Sequence, residues 1–110
     1  MAINIGDLIN SIQSNIINLA KDSLKDYVKQ AGDDASSFLE LTKQKLEKWT
    51  NMLLEGKLSK KDFEDLVLAQ KDLMELKALK QAGLAQIKLD EFKNAAMGVL
   101  MDTVFKVVGV

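Results

Sequence analysis

Gly56-Lys57-Leu58-Ser59-Lys60-Lys61-Asp62-Phe63 closes one helix and opens the next. Gly56 stands where a helix ends in the left-handed conformation that glycine enters without a Cβ clash. Ser59 and Asp62 have the spacing of a capping box, in which the serine oxygen accepts a hydrogen bond from an amide of the first turn. Asp62 is a shorter version of the usual Glu. Leu58 before the cap and Phe63 at the fourth helical position match a hydrophobic staple, which sets the angle at which the chain enters the helix.

Helical periodicity extends from this point in both directions. Upstream, Phe38, Leu39, Thr42, Leu46, Trp49, Met52 and Leu53 recur at steps of three and four, with Lys43, Lys45, Glu47 and Lys48 between them. They predict a helix over 34–55, capped by Asp33 or Asp34. Before it, Leu8, Ile9, Ile12, Ile16, Leu19, Ala20, Leu24, Tyr27, Val28 and Ala31 form another stripe. They predict a first helix over 7–31, with Gly6 or Asp7 as N-cap and Gly32 as C-cap. Downstream, Phe63, Leu66, Val67, Ala69, Leu73, Leu76 and Leu79 predict a core-facing helix over 60–82.

Gly83 has two readings. It either ends the third helix, so that a fourth runs over 84–108, or it bends one long helix. Length favours the turn, because four spans of about 22 to 25 residues, roughly 33 to 38 Å each, suit an up-and-down bundle. The expected fold is therefore all-α, an antiparallel up-and-down bundle of four helices in one domain over 1–110. The alternative is three helices with a long third helix bent near Gly83.

Composition bounds the chemistry. The 110 residues include no cysteine, proline or histidine. Helices are free to run without proline. Without histidine or cysteine, the commonest metal ligands and the usual acid–base group near neutral pH are missing. The carboxylate pairs Asp33/Asp34, Asp65/Asp72 and Asp90/Glu91 lack the spacing of di-metal bundles or of calcium loops. Gly56-Lys57 has no strand before it and no phosphate-loop spacing. Trp49 and Tyr27 read as core aromatics, and Met52, Met74, Met97 and Met101 as flexible fillers. No catalytic residue, cofactor or metal site is expected, and the chain reads as a non-enzyme.

The net charge is −1 and all 15 basic residues are lysines, so nucleic-acid recognition through the planar guanidinium fork is not expected. The stretch from Ile3 to Ala20 is broken by Asn10, Ser11, Gln13, Ser14, Asn15 and Asn18. It lacks the basic start and continuous apolar run of a signal peptide, and no run reaches the roughly 18 apolar residues of a membrane span. A cytoplasmic location is the default expectation.

Charge is distributed unevenly. Residues 1–20 carry only Asp7, and residues 95–110 only Asp102 and Lys106. In an up-and-down bundle these charge-poor ends meet at one pole. If the third helix continued, the apolar C-terminus would project and need a cover. The ends are then either the bundle's own core or a contact surface. As a surface, the candidate interface is Ile12, Ile16, Leu100, Met101, Val104, Phe105 and Val108, and its partner a second copy or another helical protein. A helix apolar nearly all round also allows contact with a membrane surface or an apolar ligand. Replacing Ser59 by Ala is expected to lower the unfolding free energy by about 1 kcal/mol, measured by urea denaturation.

Overall fold

The chain, in a computed structural model that describes residues 3–110, contains five α-helices. They are α1 (Ile5–Ser23), α2 (Val28–Leu54), α3 (Lys60–Leu68), α4 (Lys77–Gln81) and α5 (Gln86–Val108). Single 3₁₀ turns cover Lys25–Tyr27 and Lys71–Leu73. α1 leads into α2 through the first of these turns, and a broken third arm made of α3 and α4 connects α2 to the fourth arm, α5. The result is an all-α helical bundle. The first two residues of the expected 1–110 domain lie outside the described part.

Local signals act where the sequence places them at the centre of the chain. The Ser59 hydroxyl accepts from the Asp62 amide at 3.0 Å, while Leu58 packs against the core and Phe63 is fully buried. Gly56 and Gly83 both adopt positive φ, at 75° and 91°. Each closes its helix with the two reversed hydrogen bonds of a Schellman motif: Lys57 N to Met52 O and Gly56 N to Leu53 O, then Leu84 N to Leu79 O and Gly83 N to Lys80 O. The chain turns at Gly83, and the long-third-helix alternative does not form.

The first arm differs from expectation. Its cap is Asn4, whose side-chain oxygen accepts from the Asp7 amide at 3.1 Å. Gly6 and Asp7 instead lie inside the first turn, where the Asp7 charge complements the helix dipole. The arm also ends at Ser23 and not near residue 31. The Ser23 hydroxyl donates back to Leu19 O at 2.8 Å, a bond that competes with the helical ladder. Leu24 leaves helical dihedrals and buries its side chain. Gly32 is therefore no cap. It lies within α2, where its carbonyl accepts from Gln13 Nε2 of α1 at 2.8 Å.

The third arm also departs from the expected 60–82 helix. It breaks after Leu68, and α4 begins at Lys77. Ala69, the C-cap of α3, and Leu73, within the break, are exposed, although the periodicity aims both at the core. The break contains the one non-glycine residue with positive φ among the described residues, Leu76 at φ 56° and ψ 43°. A left-handed leucine costs roughly 1–2 kcal/mol. Burying its side chain, which is almost wholly covered here, contributes about 1.5–3 kcal/mol, enough to hold the conformation.

The remaining requirement of α4 is met from outside. No side chain of its own caps it. Asp34 of α2 accepts from the Ala78 amide and the Leu79 amide, each at 2.9 Å, through its two carboxylate oxygens. Asp34 thus caps a helix, but α4 and not the start of α2. Asp33 beside it is exposed within α2.

The ends of the arms follow an up-and-down course. Ile3 N donates to Asn51 Oδ1 near the end of α2 at 2.8 Å, and Val107 of α5 shares a pocket with Ile3 and Leu8. Both ends of the described chain therefore lie at one pole of a body measuring 42 × 23 × 21 Å. Asp34→Ala removes two hydrogen bonds to a charged acceptor and strands two amides, one buried and one half-buried. It is expected to lower stability by about 2–3 kcal/mol, more than Ser59→Ala in the same urea titration.

Candidate interaction surface

The candidate interface residues come together, but mostly inside the molecule. Ile12, Ile16, Leu100 and Val104 are completely buried, and Phe105 nearly so. Only Met101 and Val108 are half-buried. The periodicity of α1 puts Leu8, Ile12, Ile16 and Ala20 on one line. On α5, Leu89, Phe92, Ala96, Met97, Leu100, Thr103, Val104 and Phe105 are buried. The two apolar ends cover each other and the third arm. The Phe105 ring meets Phe63 edge-on at 5.6 Å, and Lys60 Nζ sits 4.7 Å from its centroid.

The seam is closed by a polar clasp. Asn15 Nδ2 donates to Thr103 Oγ1 at 2.9 Å, and that hydroxyl donates to Val99 O at 2.7 Å. Around it lies the charge-poor outer surface. The exposed side chains of α1 between Leu8 and Ala20 are Asn10, Ser11, Ser14, Asn15 and Asn18, with no charge among them. At the pole, Val107 and Val110 are about half-exposed. Asp102 and Lys106 flank the seam on α5.

A second feature was not apparent from periodicity. Leu41 lies off the apolar stripe of α2 and is 66% exposed, and Leu73 is 42% exposed. Both line an open cavity of about 140 Å³ with Asp34, Ser37, Phe38, Glu75, Leu76 and Lys77. An off-stripe leucine beside Glu40 was its only sequence signal.

The carboxylate pairs serve local structure. Asp90 accepts from Gln86 Nε2 at 2.9 Å, and Asp65 faces Lys61 at 3.7 Å on the surface. Among the described residues no group of three or more acidic side chains is placed to hold a metal ion. No described helix is long and apolar enough to cross a membrane. Compared with models of known families, with curated proteins and with solved structures, the chain finds no significant match in any of the three.

Leu100→Ala is expected to reduce the unfolding free energy by about 2–5 kcal/mol, the range for a cavity in a packed core. An interface residue on a free surface would leave the monomer's thermal and urea transitions nearly unchanged.

Proposed function

We propose that this chain is a non-enzymatic interaction module that pairs with a second copy of itself through the outer face of α1 and the adjoining pole. The observation that carries the reading is the uncharged exposed face of α1, formed by Asn10, Ser11, Ser14, Asn15 and Asn18. Charge depletion is the compositional mark of an interface centre. In a two-fold dimer each patch meets its own copy, so the neutral stretch from Asn10 to Asn18 brings no like-charge repulsion, while Asp7 at the pole and Asp102 and Lys106 beside Asn15 form its charged rim. The half-exposed Val107 and Val110 add apolar area beside it.

The surface differs from the residues that sequence pattern singles out. Ile12, Ile16, Leu100, Val104 and Phe105 act indirectly, by holding α1 and α5 together and presenting their outer faces. Met101 and Val108 are the two that retain some exposure. Insertion of α5 into a bilayer surface is disfavoured by the same packing, because its bulky apolar side chains would first have to leave the core.

Light scattering at tens of micromolar is expected to give the mass of a dimer, and Ser14→Lys, which sets two lysines against each other, to return the monomer. A monomer throughout that range, for the unmodified chain, overturns the reading. Cosedimentation with neutral or anionic vesicles would also overturn it in favour of a lipid surface.

A further inference from the structure

We propose that the cleft between α2 and the Lys71–Lys77 stretch is a docking groove for a partner segment in which an aliphatic side chain is followed closely by lysine or arginine. The groove is separate from the α1 face and does not depend on it. Its walls are Leu41 and Leu73, its floor includes the buried side chains of Phe38 and Leu76, and Ser37 lies on the same turn of α2. A shallower depression lined by Ser36, Ser37, Glu40 and Leu41 continues it along α2.

Two further observations point to an occupant. The first is backbone strain. The groove exists because the third arm is broken, and the break holds Leu76 in the left-handed region under the clamp of Asp34. Leu73 faces solvent within this break, beside Leu41, which α2 presents off its own buried stripe. Strain of this kind gathers at binding sites.

The second is charge. The lining carries Asp34, Glu75 and Lys77, and the extension adds Glu40. Lys77 Nζ lies 3.3 Å from Glu75, so these two charges offset each other, and both oxygens of Asp34 are taken by the Ala78 and Leu79 amides. Glu40 is exposed and forms no ion pair among the described residues. A partner is therefore met by an apolar slot with one free carboxylate, Glu40, at its edge, and an amphipathic helix with a basic residue beside its aliphatic one complements both. The aliphatic side chain enters between Leu41 and Leu73, and the basic one reaches Glu40.

The probe is a leucine–lysine peptide of helical periodicity, with its leucine–glutamate counterpart as control. Titrated into the isotopically labelled full chain, the basic peptide is expected to shift the amide resonances of Ser37, Leu41, Leu73 and their neighbours, and the acidic peptide to leave them in place. Leu41→Ser and Glu40→Lys are each expected to weaken binding by about tenfold or more, with the circular dichroism of the fold unchanged, since both side chains are exposed. Equal binding of the two peptides, shifts centred elsewhere, indifference to both substitutions, or no binding overturns the proposal. A dimer that Leu41→Ser dissociates and Ser14→Lys does not would assign the groove to a second copy, and would overturn both the basic-partner proposal and the α1-face dimer.

Discussion

The third arm of this bundle is held by a carboxylate that does not belong to it. Asp34 reaches from α2 to the amides of Ala78 and Leu79, and with that contact α4 has a capped start and a fixed place. Remove it and the short helix loses the only side chain that caps it among the described residues. An isolated helix of this length is unstable in water, so α4 depends on tertiary contacts. Leu79 and Leu76 supply the buried surface, and Asp34 supplies direction and register. The left-handed turn at Leu76 leads into this capped helix, and Asp34 itself lines the open cleft beside Leu41 and Leu73.

The uneven charge of the chain has a similarly simple physical origin. α1 and α5 are neighbours along most of their length, and each buries a line of large side chains against the other and the rest of the bundle. Lysines and acids concentrate on α2, on the third arm and on the first two turns of α5, where Lys88, Asp90, Glu91 and Lys93 stand. The surface ion pairs that result are exposed and contribute little to stability. What the neutral ends leave outside is not a greasy patch but a ridge of Asn and Ser, with valines at its tip.

The parts legible in the amino-acid sequence were those decided within one or two turns. Ser59, Leu58 and Phe63 announce a helix start that depends on no distant residue. Gly56 announces a stop because the left-handed conformation favours glycine, whereas the turn at Gly83 is favoured by span length, and Gly32, which reads as a cap in the same way, lies within α2. The α1–α2 boundary carried no such mark. Leu24 to Tyr27 contain neither glycine nor proline, and the bend there comes from burying Leu24 and from the Ser23 back-bond. The break before α4 was hidden for the same reason: its cap comes from a residue distant in sequence. Apolar periodicity likewise identified Ile12, Ile16, Leu100, Val104 and Phe105 as important without saying whether a partner or the chain itself would cover them. The cleft at Leu41 and Leu73 arises from tertiary breakage of a regular stripe, and only the off-stripe position of Leu41 hinted at it.

The clasp between Asn15 and Thr103 joins residues 88 positions apart. During synthesis α1 is made well before α5 and can meet α2 in the interval, but its flank toward α5 has no cover until α5 has been made. Over that interval Ile12 and Ile16 belong to an incomplete structure, with apolar surface available to any other chain nearby. The polar Asn and Ser ridge on the outer side of α1 then has a second value: it keeps one face of that waiting helix well hydrated. Closure of the bundle is thus a late, long-range event, and the last helix to appear is the one that seals the first.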